Sequence, residues 1–134
     1  MVLVKKVLSI LLVMGLLLLF SGAAFAGENI QFDSQSSDVF VSFTSGIGLI
    51  SGKIQAEAYS STWGMYDQTI HMELQKEGDS GWETIKSWER SDYTGSMSIL
   101  GSYPAEEGKY RVMSTHIAGG EEPKTSYSGI KEID

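Results

Sequence analysis

The sequence predicts an all-β fold, a small antiparallel β-sandwich of six to eight strands. Three observations predict it. From residue 39 onward, short segments alternate apolar and polar residues with a period of two, the mark of strands with one buried face. Turn residues break these segments roughly every 8–12 positions, a spacing typical of sandwiches and barrels. No stretch after residue 26 sustains the 3.6-residue period of an amphipathic helix.

The elements follow in order. Val39-Phe40-Val41-Ser42-Phe43-Thr44 is a β-branched and aromatic run, and Ser45-Gly46 is expected to end it. From Leu49 to Tyr59, Ile54, Ala56 and Ala58 alternate with Lys53, Gln55 and Glu57. Trp63-Gly64-Met65-Tyr66 is expected to form a loop. From Gln68 to Glu77 the pattern is clearest: Ile70, Met72 and Leu74 face one way, and His71, Glu73 and Gln75 the other. Gly78-Asp79-Ser80-Gly81 predicts a tight turn, so Trp82 to Arg90 returns as a hairpin partner. There Trp82 and Trp88 are expected on one face and Ile85 on the other. Met97-Ser98-Ile99-Leu100 is a short strand. Lys109 to Ala118 is a long one, with Tyr110 and Val112 against Arg111 and Met113. Gly119 to Pro123 turns the chain, and Lys124 to Ile130 returns at an edge. Glu107-Gly108-Lys109-Tyr110-Arg111-Val112 resembles the tyrosine corner of immunoglobulin-like sandwiches, in which a Tyr hydroxyl clips the start of a strand. The expected fold is accordingly immunoglobulin-like.

The chain of 134 residues opens with an apolar leader. Lys5 and Lys6 supply a positive start, Val7 to Phe20 the apolar run, and Ala24-Phe25-Ala26 a small-residue cleavage site. A membrane-spanning helix needs about 20 apolar residues, a length that Leu3 to Ala26 reaches only if uncleaved. The small-residue end favours a signal helix, residues 1–26, cleaved after Ala26, and a secreted, extracellular product with no membrane segment thereafter. Residues 27–38 form a flexible polar lead-in, with the run Asp33-Ser34-Gln35-Ser36-Ser37-Asp38. Residues 39–134 make one domain.

Charge and composition exclude several function classes. The formal net charge is -7, and removal of the leader with its two lysines leaves 108 residues at -9. Nucleic acid is excluded as a partner, because phosphate neutralisation needs Lys and Arg. The absence of cysteine rules out a disulfide framework and a thiolate zinc site. A nucleophile needs a positioned base. His71 and His116 are the only imidazoles, both lie within predicted strands, and no Gly-x-Ser-x-Gly elbow is present. The chain reads as a non-enzyme without cofactors. Should the strands of His71 and His116 adjoin, the two rings and Glu73 would make a zinc set. Glu77, Asp79 and Ser80 in one turn, or Glu121 and Glu122 in another, are the oxygen candidates for calcium, although no EF-hand pattern is present.

Aromatic residues are the more informative feature. Trp63, Tyr66, Trp82 and Trp88 are the candidate ligand-binding residues, because exposed aromatics bring large contact area at low entropic cost and stack on sugar rings. The competing reading places some of them in the core, with Trp63 folded over an open end of the sandwich.

One resemblance adds to this. Leu74-Gln75, Gly81-Trp82, Ile85-Lys86-Ser87-Trp88, Gly101-Ser102-Tyr103 and Gly108-Lys109-Tyr110-Arg111-Val112, with His116 after them, resemble a family of small secreted proteins of Gram-positive bacteria defined by a domain of unknown function. The likeness runs from about Gly52 to Ser128. It implies secretion and the β fold, and it transfers no catalytic residue. The chain departs from the family pattern in its acidity, with Glu106-Glu107 where Ser or Thr is expected and Lys109 where a second Tyr is common.

The expected function is a non-catalytic extracellular binding or interaction module, with another extracellular protein or an envelope glycan as partner. Two alternatives are a structural or stress-related surface protein without a discrete ligand, and a small metal-dependent hydrolase using His71, His116 and carboxylates.

Overall fold

The computed structural model describes residues 38–134. The signal helix, its cleavage after Ala26 and the lead-in up to Ser37 lie outside the described residues. Six strands form one antiparallel sheet: β1 (Phe40–Ile50), β2 (Lys53–Gly78), β3 (Gly81–Pro104), β4 (Gly108–Ala118), β5 (Lys124–Tyr127) and β6 (Lys131–Ile133). Among the described residues no helix is long and apolar enough to cross a membrane.

The fold turns on the length of β2. Its first half pairs β1, Ile50↔Lys53 through Phe40↔Thr62, and its second half pairs β4, Gln68↔Ala118 through Lys76↔Tyr110. Along the other side β3 accompanies it almost throughout. The β2–β3 ribbon bends midway, so its two halves make the two layers of a curled half-barrel. The layers of the expected sandwich are thus two parts of a single sheet, and β1 comes to rest against β4 and β5.

The core fills the inside of this curl. Ile54, Ala56 and Ala58 from the first half of β2 meet Ile70, Met72 and Leu74 from the second, with Ile47, Met97, Ile99, Tyr110 and Val112 around them. The period-two alternation read from the sequence in β2 and β4 produces this core, because every second side chain points inward. Burying side chains of this size stabilises by roughly 1.5–3 kcal/mol each.

Local chemistry explains the turns. Ser51 and Gly52 connect β1 to β2 with both φ angles positive, 50° and 75°, as the twist of a two-residue hairpin demands. Asp79 and Ser80 connect β2 to β3 inside the Gly78↔Gly81 pair. The tyrosine corner forms: Tyr110 Oη donates to Glu106 O at 3.0 Å, fixing the approach to β4.

Three local expectations are corrected. Ser45-Gly46 does not end the first strand, which continues to Ile50 because β2 pairs it residue by residue. Residues 63–66 are not a loop between strands but part of an irregularity within β2, where residues 62–65 stand opposite Gly95 alone. Trp82 and Trp88 do not share a face. A bulge opposite Leu74 and Gln75 inserts Ile85 as an extra residue and inverts the alternation. Trp88 and Ile85 therefore turn to the core, while Trp82 lies outside.

Candidate functional site

The bulge in β2 forms an outer corner of the molecule. A strand that must turn from one layer to the next needs extra residues at its bend, and Thr62-Trp63-Gly64-Met65 supply them. The corner is braced from inside by Gln68, which is buried. Its Oε1 accepts from Ser60 Oγ at 2.7 Å, and its Nε2 donates to Thr94 O at 2.7 Å and to Thr62 Oγ1 at 3.3 Å. Thr62 Oγ1 itself donates to Gly64 O. Trp63 N–H donates to Val39 O at 3.1 Å, which ties the corner to the start of β1. On this fixed backbone the Trp63 side chain is 71% exposed and Met65 56% exposed, and across the ribbon Tyr93 is 62% exposed.

The other aromatic candidates are placed differently. Tyr66 is half-buried and packs against Phe40, Phe43 and Ala118. Trp88 is half-buried against the main core. Trp82 lies on the outer face of the sheet, with the Arg111 guanidinium carbon 4.5 Å from its ring centroid. The same guanidinium lies 4.8 Å from the Tyr127 ring, and Arg111 Nε donates to Gln75 Oε1 at 2.8 Å. Gln75 is buried beneath this cluster although its strand position faces outward. The four residues come from β3, β2, β4 and β5. The fold thus brings together Trp82 with Arg111, Gln75 and Tyr127, and it separates Trp63, Tyr66 and Trp88 from them and from each other.

The two histidines lie on adjoining strands, as a shared ion would require, but on opposite faces. His71 pairs with Thr115 and His116 with Ile70. The half-exposed ring of His71 sits 3.2 Å (Nδ1 to Oε2) from Glu89 on the outside. His116 is fully buried inside, against Phe40 and Phe43. Glu77 and Asp79 are exposed at the hairpin end, away from both. Among the described residues no group of three His, Cys, Asp or Glu side chains is arranged to hold a metal ion.

His116 belongs to a buried hydroxyl chain. Its Nε2 lies 2.7 Å from Ser126 Oγ, Ser126 Oγ lies 2.6 Å from Ser45 Oγ, and Ser45 Oγ donates to Ser114 Oγ at 2.7 Å. The chain seals the Ser126–His116 pair inside the fold, Ser126 bonding to Ser45 and Ser45 in turn to Ser114. Nδ1 is buried without a partner among the described residues. Burial lowers the His116 pKa to about 4, because the charged form loses its water. Burial acts the other way on Glu57, whose carboxyl is pushed up to about 7 and whose Oε2 has no hydrogen-bond partner.

Comparison with protein-family models, curated proteins and solved structures finds no match to this chain. Arg111, Gln75, Tyr127 and Gln68 are the residues that reading the sequence missed. Outward alternation in β4 marked Arg111 and outward alternation in β2 marked Gln75, but only the pairing of β2 with β4 joins them.

Proposed function

We propose that this chain is a non-catalytic extracellular binding module acting at or near the cell surface. The observation that carries it is the Trp63 corner. A tryptophan exposed on a backbone fixed by Gln68 and by the bond to Val39 O loses no backbone freedom on binding, only that of its side chain. Large apolar side chains on a fixed corner serve as anchors for a partner surface. The Ser126–His116 pair is sealed in the core out of reach of a substrate, which supports the non-catalytic half of the reading.

Co-sedimentation of the protein with isolated Gram-positive cell envelopes, with and without calcium, tests it. The expected result is pelleting that survives chelation and is lost in Trp63→Ala. Pelleting that needs calcium and ignores Trp63→Ala favours the surface-protein alternative, in which the acidic turns carry the contact. Protein that stays in the supernatant under every condition defeats the cell-surface reading.

A further inference from the structure

Arg111 is a held cation without a counter-charge among the described residues. The chain carries 17 acidic residues against ten basic ones, yet the ion pairs among the described residues are His71–Glu89 and Arg90–Asp92. The outward positions of β2 on either side of Gln75 carry carboxylates, and neither pairs with Arg111. Glu73 accepts the Thr84 hydroxyl at 2.7 Å instead, and Glu77 stands exposed opposite Trp82. The Arg111 guanidinium is nevertheless fixed by Gln75 through Nε and by the rings of Trp82 and Tyr127. Holding a long side chain in this way costs about 1–2 kcal/mol of rotamer entropy. Nε is used, and the two terminal nitrogens have no side-chain acceptor among the described residues.

A planar guanidinium with its terminal donors unpaired matches a carboxylate in two parallel hydrogen bonds. We propose that Arg111 anchors a binding site for a carboxylate-bearing sugar on the outer face of the sheet. Carboxylate follows from the fork. Sugar follows from the surroundings. Tyr127, beside the guanidinium, is 40% exposed and offers a ring for a pyranose to stack on. Thr115 on β4 and Thr125 on β5 bring hydroxyl groups to the same outer face. The net negative charge of the chain is screened beyond about 8 Å at physiological salt, so the local cation decides whether an isolated carboxylate is accepted. The site rests on the reading of the chain as a binding module, and it uses a different surface from the Trp63 corner.

Proton–nitrogen NMR of the full chain, titrated with glucuronate, glucose and acetate, tests the site. Saturable shifts of the Arg111 Nε–Hε and Trp82 indole signals are expected with glucuronate, with glucose and acetate at least about tenfold weaker. Arg111→Lys keeps the charge and loses the fork, and a loss of about tenfold or more in glucuronate affinity is expected. If that variant does not fold, Tyr127→Ala on the short edge strand replaces it, with a severalfold loss expected. An equal response to acetate overturns the sugar, an equal response to glucose overturns the carboxylate, and no saturable shift overturns the site. Unchanged binding in the folded variant also overturns it. A protein that pellets with envelopes through Trp63 but ignores glucuronate overturns this site alone; one that does neither overturns the module reading as well.

Discussion

Trp88 fills the space in which Gly101 would carry a side chain. A Cβ at residue 101 would lie 2.3 Å from Trp88 Cε2 and 2.6 Å from Cδ2 and Cζ2. Both residues belong to β3, Trp88 opposite Met72 in one layer and Gly101 opposite Ala56 in the other. The contact closes the fold of the ribbon on itself. Gly101→Ala is therefore expected to destabilise by about 2–3 kcal/mol, since the indole cannot move without opening the core. In a Trp88→Ala background the same substitution should cost much less. A double-mutant cycle by urea unfolding measures the coupling, and additive costs would refute the contact's role.

Gln68 should matter more to the corner than any residue on its surface. Gln68→Leu leaves the Ser60 hydroxyl and the Thr94 carbonyl without their partner, at a cost of roughly 1–3 kcal/mol for each buried group. Hydrogen exchange at the Trp63 amide should accelerate along with this loss. Trp63→Ala should change stability by less than about 0.5 kcal/mol, as surface substitutions do.

Two buried ionisable groups give the protein opposing pH responses. His116 is neutral in the fold, with its pKa lowered from 6.5 to about 4. The unfolded chain binds the extra proton first, so this group's contribution is present above pH 6.5 and is lost as pH falls towards 4. Over that window the loss approaches about 3 kcal/mol at 1.36 kcal/mol per unit. Glu57, raised from 4.5 to about 7, stabilises below pH 4.5, and that contribution is lost as pH rises through 7. Its effect is the smaller, because it is less deeply buried than His116. The wild-type protein should show a shallow stability profile between pH 4.5 and 6.5. Glu57→Gln removes the opposing term and should expose a steep loss on acidification, measured by urea midpoints across that range.

The tyrosine corner offers a narrower test. Tyr110→Phe removes only the hydroxyl that donates to Glu106 O, and the ring keeps its buried place. A cost of about 1 kcal/mol is expected, with faster amide exchange at Gly108 and Lys109. No change in either measurement would mean that the ring alone holds the start of β4.

Much of this architecture can be read in the sequence, and the reasons for the rest are physical. Ile70, Met72 and Leu74 alternate without interruption, so their inward face was legible, as were the hairpin turn at Asp79-Ser80 and the corner at Tyr110. The face of Trp88 was not, because the extra residue Ile85 inverts the pattern and a bulge carries no mark in local composition. The continuity of β2 was hidden for a related reason. Trp63-Gly64-Met65 reads as a loop until Gln68, a residue with no obvious local signal, is seen to hold it from the inside. The cluster around Arg111 joins four strands whose order no single segment encodes. Trp63 was chosen from the sequence as an exposed anchor and is exposed; Tyr66 and Trp88 are drawn inward by contacts made far along the chain.

The bend in β3 has a consequence for how molecules of this protein meet one another. Among the described residues β3 pairs with β2 alone, so its outer rim carries backbone donors and acceptors that another strand would complete. A flat rim of this length would be a template for stacking chain upon chain. Here the rim turns a corner at Thr94-Gly95, and Arg90 Nη1 reaches across the turn to hold Ser98 O at 2.8 Å. A second molecule laid along β3 meets two divergent rims and a carbonyl already taken. The curl that encloses the core also guards the protein against fibrous self-association.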